Sequence, residues 1–250
     1  MLSSAGKVVC WFSCLVAVAA GSFAATPAAG DTCSKGKFGC FIDLPHTEWL
    51  DDGRKMQLLR PFTYIDPRNR RWTADSGHVV DGASIPSVAW SIVGGPYEGK
   101  YRNASIVHDF ECDKELRPWK QVHRMFYEAT RAGGMGWVKA SLMYAAVYRF
   151  GPRWAGDQPS NAKFEEKEEY LIRLLTVLRD SSPEQMPLEK LEGLTLGALQ
   201  VSQEDLDEVR QLVDMRRQGR IFTDGVPEGM LAAAPPQIIE DLLFPPKPGD

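Results

Sequence analysis

The amino-acid sequence predicts an α+β fold, in which a small antiparallel sheet packs on a helical cluster and a helical C-terminal extension follows. Three observations lead to this prediction. β-forming segments separated by turn residues fill the chain up to residue 80. Three segments with helical limits occupy residues 103–150. Acidic residues dominate after residue 156, where tryptophan no longer occurs.

The strand region begins at about residue 41 and is interrupted at two points. Residues 56–65 favour a β-strand, and Pro61 within them is typical of an edge strand. Residues 66–69 (Asp-Pro-Arg-Asn) have the composition of a turn. We therefore expect further short strands at residues 71–73 and 78–80.

The helical cluster is predicted from the residues that limit each helix. The first helix is expected over residues 103–115 and the second over residues 118–131, with Pro118 at its first position. The third is expected over residues 137–150, where a Gly-Pro pair ends it. This third segment is apolar nearly all round, so it should lie at the centre of the packing.

The first 24 residues have the three zones of a secretory signal peptide. Lys7 supplies a positive charge, residues 8–20 form an apolar run, and small residues before Ala25 suit cleavage. The run has 13 residues, whereas about 20 are needed to span a bilayer. We expect an exported protein, periplasmic or extracellular, with no stable membrane span in the mature chain. An uncleaved membrane anchor is the alternative interpretation.

Charge divides the remaining chain into two halves. Residues 25–155, the predicted α+β domain, carry 18 basic and 14 acidic residues, and residues 156–250 carry 10 basic and 19 acidic residues. Neither half has the concentrated basic face of a nucleic-acid-binding protein, so no such partner is expected. Residues 156–235 are interpreted as an acidic helical extension that could bind an envelope polymer or a protein, and residues 236–250 as a Pro-rich, disordered tail.

Three cysteines remain after the predicted cleavage, namely Cys33, Cys40 and Cys112. Disulfides persist outside the cytosol, and the six residues between Cys33 and Cys40 are flexible enough to close a small loop. We predict that this pair is bridged. Cys112 is then left over, as an unpaired thiol, a ligand or a buried residue.

One polar constellation could carry chemistry. Asp81 lies in a short loop segment, His108 and Asp109 lie in the first predicted helix, and His123 lies in the second. Two imidazoles and a carboxylate, with water in a fourth position, suit a divalent metal such as Zn²⁺. Asp81, His108 and His123 are thus candidate ligands, with Asp109 as general base or as orienting partner of an imidazole. Cys112 lies one turn after His108, so it shares that helix face.

Other interpretations of these residues stay open, among them the binding of a ligand without catalysis. A buried polar cluster of this kind can hold a sheet against helices without any chemistry. Ser84, with His108 and Asp109, also supplies the ingredients of a nucleophilic triad, and Ser84 is therefore a candidate catalytic residue. However, Ser84 lacks the G-x-S-x-G turn that exposes such a serine.

Four separated segments resemble domain-of-unknown-function family 1353, which occurs in bacteria and phage genomes. They are Asp-Gly-Ala-Ser-Ile-Pro at 81–86, His-Asp at 108–109, residues 122–126, and residues 144–151 with an aromatic-Gly end. The resemblance covers about residues 57–154 and implies a fold and a shared site, but no activity. One departure is His123, which stands where the family pattern leads us to expect Asp.

Two functions follow from these observations as hypotheses. The first is a metal-assisted hydrolase that acts on peptidoglycan or another component of the cell envelope. The second is a non-catalytic envelope scaffold, in which the polar cluster is structural and the C-terminal helices bind a partner. The substrate in the first hypothesis rests on the compartment and on the phage occurrence of the family, not on chemistry.

Overall fold

The computed structural model describes residues 33–34, 36–52, 55–80, 86–94, 99–158, 160–218 and 236–250. The predicted signal peptide lies outside these residues. So does the segment 81–85, which contains Asp81 and Ser84.

Two small antiparallel sheets of three strands each make up the β part of the described chain. Pro61 separates β3 from β4, so the two strands enter different sheets. The first sheet has the order β1-β4-β5 and the second β2-β3-β6. The strands are β1 (Cys40–Phe41), β2 (Thr47–Trp49), β3 (Met56–Leu58), β4 (Phe62–Ile65), β5 (Arg71–Ala74) and β6 (Val79–Val80).

A buried carboxylate organises the turn between β4 and β5. Asp66 accepts hydrogen bonds from the backbone N–H groups of Arg68 and Arg70, at 2.9 and 2.8 Å. Its other oxygen accepts from the Arg70 Nε at 2.7 Å and from the Trp72 indole at 3.1 Å. Burial alone would raise the pKa of Asp66, but these hydrogen bonds and the Arg70 charge hold the pKa below its usual value.

The described residues contain eight α-helices, which short connections join. The three helices of the predicted cluster appear within one or two residues of their expected limits. Two 3₁₀ turns, Gly99–Tyr101 and Leu196–Ala198, join neighbouring helices. The helices are α1 (Ser87–Val93), α2 (Arg102–Lys114), α3 (Trp119–Ala132), α4 (Trp137–Phe150), α5 (Phe164–Asp180), α6 (Leu188–Gly193), α7 (Gln203–Gln218) and α8 (Pro236–Leu243).

The core is built around α4, as its apolar composition predicts. Helices α3 and α5 pack on it, α2 packs on α3, and β4 and β5 pack on α2. Eleven of the fourteen residues of α4 are buried. Leucines of α5 and α7 belong to the same hydrophobic cluster as the strands. The α+β prediction is thus confirmed, and the helices after residue 156 share the core of the residues before them.

The last residues differ from the disordered tail that their prolines suggested. Residues 236–243 form α8, and Glu240 on this helix pairs with Lys139 at 2.5 Å and with Arg216 at 2.9 Å. The first of these contacts reaches α4, so ion pairing fixes a segment whose composition alone indicates an extended chain.

Cys33 and Cys40 form the predicted disulfide, with their Cα atoms 6.0 Å apart. Cys112 is outside this bond and is buried. Across the described part of the chain, no helix combines the length and the apolar composition needed to cross a membrane.

Replacement of Asp66 tests the β4–β5 turn. Asp66→Ala leaves the buried indole N–H of Trp72 and the half-buried Nε–H of Arg70 without their acceptor, so we expect the free energy of unfolding at pH 7 to fall by about 3 kcal/mol in urea denaturation. The exposed Asp75→Ala, in the same region, should change it by less than about 0.5 kcal/mol. Because the pKa of Asp66 is lowered in the folded state, the wild-type advantage should persist above about pH 5 and shrink as the pH falls through that pKa.

Candidate metal centre

Three potential metal ligands meet between α2 and α3. His108 and Cys112 lie one turn apart on α2, and His123 lies on α3. Neither imidazole is exposed at all, and Cys112 is 8% exposed. The contact between the two helices therefore brings together side chains from the two histidine segments that the sequence singled out.

The distances within this cluster are short. The Nε2 of His108 lies 2.9 Å from the Nδ1 of His123. The Cys112 Sγ lies 3.7 Å from the Nε2 and 3.9 Å from the Nδ1 of His108. One ligand atom from each residue can be chosen so that all three lie within 4.8 Å of one another.

The hydrogen bonds assign a proton to each ring. The Nε2 of His123 lies 3.0 Å from the carbonyl oxygen of Pro152, which can only accept, so this nitrogen carries the hydrogen. In a neutral ring the Nδ1 of His123 is then an acceptor, and the Nε2 of His108 donates to it. The result is a directed chain from His108 through His123 to the backbone.

Burial keeps both rings neutral at neutral pH. Burial lowers the pKa of His108 well below its usual value, and the neighbouring His123 lowers it further. Burial also lowers the pKa of His123 to about 4, although the hydrogen bond to Pro152 opposes the shift. Neutral imidazole is the form that binds metals, so the electrostatics favour the ligand state of both residues.

Aromatic rings line the cluster. The Phe126 ring centroid lies 4.6 Å from that of His108. The rings of Trp119 and Trp154 lie 5.5 and 6.4 Å from that of His123. These contacts place the polar atoms in an apolar surrounding, where an unsatisfied donor or a bare charge is costly.

The donor set fits a tetrahedral metal such as Zn²⁺. Zinc bond lengths place two nitrogen ligands about 3.3 Å apart, and a nitrogen and a sulfur ligand about 3.6 Å apart. The corresponding distances here are 2.9 and 3.7 Å. The Cys112 Sγ lies only within 4.8 Å of His123, so these two residues would have to approach to about 3.6 Å to hold the ion. The proton on the Nε2 of His108 would move to its Nδ1, and the thiol proton would be lost.

The structure places the other predicted site residues as follows. Asp109 is buried, with its Oδ1 4.0 Å from the Nδ1 of His108, which is beyond hydrogen-bond distance. Asp81, a predicted ligand, and Ser84, a predicted catalytic residue, lie outside the described residues. Cys112, which the sequence placed on the His108 face, does lie beside that ring.

Sequence reasoning missed the backbone acceptor of His123. Pro152 was read only as the residue after the end of a helix, and its carbonyl has no sequence signature. Trp119 and Trp154 were not assigned to the site either. A tryptophan next to the helix-starting Pro118, and another just after the Gly-Pro pair, were the available signals.

Comparison with known proteins agrees with the resemblance found in the sequence. Residues 56–147 match the family "Protein of unknown function (DUF1353)". This DUF1353 region contains all three residues of the cluster but neither Pro152 nor Trp154. No solved structure matches the chain.

Two curated relatives come from Sinorhizobium fredii (strain NBRC 101917 / NGR234). The uncharacterized protein y4jT is 44% identical over 119 residues, which are 47% of this chain and 35% of that protein. The uncharacterized protein y4iH is 39% identical over 122 residues, which are 49% of this chain and 48% of that protein. The chain thus spans half or less of the length of these relatives, and neither name states an activity.

The buried histidines predict a stability loss in mild acid. The unfolded chain takes up protons near the ordinary His pKa of 6.5, whereas the pKa of folded His123 is about 4. These histidines should therefore leave the free energy of unfolding unreduced above about pH 7 and lower it as the pH drops from 6.5 to 4. His123 alone should account for about 2 kcal/mol of this loss at pH 5.

Urea unfolding of chelator-treated protein at pH 7 and pH 5 measures this loss. His123→Gln should lose about 2 kcal/mol less than the wild type between the two pH values. The exposed His46→Gln should keep the wild-type loss. An unchanged loss in His123→Gln would contradict the assignment.

Proposed function

We propose that this chain is an exported metal-binding protein whose centre is formed by His108, Cys112 and His123. The observation that supports the proposal is the convergence of three donors, from two helices, within 4.8 Å. A thiolate and two imidazoles favour Zn²⁺ over Mg²⁺ or Ca²⁺, which prefer oxygen ligands.

The hydrogen bond from His123 to Pro152 supports this proposal. It fixes the Nε2 of His123 as the protonated nitrogen, so that the Nδ1 lone pair points toward His108. Ligand histidines in metal sites commonly donate their other N–H to a carbonyl or carboxylate in this way. Pro152 would thus orient a ligand rather than bind the ion.

Metal-assisted hydrolysis is the more specific form of the proposal. A metal with three protein ligands and a water in the fourth position supplies a hydroxide near neutral pH. Because neither imidazole is exposed, the surrounding helices would have to move apart to admit water and substrate. Asp81 comes directly after β6 in the sequence and would be a further ligand in a five-coordinate centre, and Asp109 would act as general base or orienting partner. The signal-like first 24 residues favour a substrate outside the cytosol, such as a component of the cell envelope.

A non-catalytic scaffold is the second candidate, and a different observation favours it. The chain of hydrogen bonds from His108 to the Pro152 carbonyl satisfies three of the four ring nitrogens without any ion. Aromatic rings pack around it. Such a network can hold α2, α3 and the turn after α4 together as a purely structural element.

Metal analysis of the purified full chain separates the two candidates. We expect about one zinc per chain after dialysis against Zn²⁺, and less than about a tenth of that in His108→Ala and in His123→Ala. Cys112→Ser should weaken zinc binding by at least tenfold, because a hydroxyl is a poor substitute for a thiolate. His46→Ala is the matched histidine control and should bind as the wild type does.

An unfolded variant would lose metal for a trivial reason. Circular dichroism of each variant should therefore show wild-type helix content. If the wild type binds no zinc, cobalt or manganese, while the histidine variants are merely less stable, the metal proposal fails and the scaffold stands.

The hydrolytic form has its own test. Zinc-loaded protein should release soluble fragments from purified cell-wall sacculi, and chelator should reduce the rate to background. His123→Ala should lose this activity, whereas the control variant His46→Ala should keep the wild-type activity. Stoichiometric zinc without any release of fragments would leave the metal centre in place and remove the proposed reaction.

A further inference from the structure

An open cleft lies beside the disulfide loop, away from the metal cluster. Its volume is about 620 Å³, and Phe38 and Phe41 contribute aromatic surface to its wall. Asn103 and Arg131 contribute polar groups. Lys37 and Asp43 line it as well, and the Asp43 Oδ1 already accepts the backbone N–H of Leu44 at 2.8 Å.

Arg131 is the buried charge in this cleft. Its side chain is only 5% exposed, and its guanidinium carbon lies 4.7 Å from the centroid of the Phe38 ring. Its Nη2 donates to the carbonyl of Gly249 at 3.0 Å. Its Nε is buried and has no hydrogen-bond acceptor among the residues that the structure describes. One N–H of a buried cation thus lacks an acceptor, which is costly, and the side chain would have to turn toward the cleft for a ligand to reach this N–H.

A carboxylate of the same chain already pairs with this arginine. The Oδ1 of Asp250 accepts from the Nη1 of Arg131 at 2.8 Å and from the backbone N–H of Trp137 at 2.7 Å. Trp137 is the first residue of α4, whose N-terminal N–H groups favour a negative charge. Gly136 leaves room for it, since a Cβ there would lie 3.3 Å from the Asp250 Oδ2. The protein has therefore assembled a carboxylate-binding group from Arg131 and a helix end.

We propose that the cleft binds a small organic carboxylate with an apolar group, that Arg131 anchors its carboxylate, and that Asp250 competes with it. The Nε and a neighbouring N–H of a guanidinium form a fork that matches two carboxylate oxygens. The rings of Phe38 and Phe41 receive the apolar part of the ligand. Asp250 lowers the affinity because its negative charge shares the same guanidinium.

NMR titration of the ¹⁵N-labelled full chain with benzoate tests this site, and benzamide is the uncharged control. Benzoate should give saturable shifts at the amides of Phe38 and Gly133, whereas benzamide should not. Asp250→Asn removes the competing charge and keeps the side-chain shape, so it should bind benzoate about tenfold more tightly, or about 1.4 kcal/mol. The exposed Asp180→Asn is its matched control and should leave the affinity unchanged.

Replacement of the arginine gives the second arm. Arg131→Gln should abolish saturation, and Arg131→Lys, which keeps the charge but not the fork, should weaken binding about tenfold. Arg60→Gln, at an exposed arginine outside the cleft, should bind as the wild type does. Equal binding of benzamide and benzoate, or an Asp250→Asn affinity equal to that of the wild type, would overturn the proposal. Neither result depends on metal binding, because the cleft shares no residue with the metal cluster.

Discussion

The contact between α2 and α3 carries a hydrogen bond between two buried neutral imidazoles, and much of the surrounding structure is arranged to satisfy it. Each ring brings a donor and an acceptor into the interior, where both need partners. The Pro152 carbonyl ends the chain of donors, which requires the turn after α4 to lie against α3. That position depends in turn on α4, the most buried helix of the cluster. The polar contact and the apolar packing thus constrain the same three helices.

Much of the fold could be predicted because local residues decide it. Pro118 begins α3, and a Gly-Pro pair follows the last residue of α4, so the helix limits were set within the segments themselves. The division into two sheets was not predicted, because a proline indicates an interruption but not which strand the next segment joins. The formation of a helix at α8 was also not predicted, since it depends on ion pairs between residues far apart in the chain, such as Lys139 with Glu240.

The site, too, could be predicted only where local residues decide it. Residues 108 and 112 share a helix face by spacing alone, and the second helix supplied His123. What spacing cannot give is the acceptor on the backbone, because every residue has a carbonyl and only tertiary packing selects one. Of the two predicted site residues at positions 108 and 109, only the first takes part in the cluster. His108 points into the cluster, while the Asp109 carboxylate stays beyond hydrogen-bond distance of its Nδ1.

The position of Cys112 has a consequence for how the chain acquires its covalent bond. Cys33, Cys40 and Cys112, the cysteines among the described residues, allow three different pairs, and two of these would join the helical cluster to the N-terminal loop. Thiol–disulfide exchange requires physical access of one sulfur to another. Once α2 and α3 have closed over Cys112, it can no longer attack the loop, so the order of folding and oxidation would decide whether the correct ring forms.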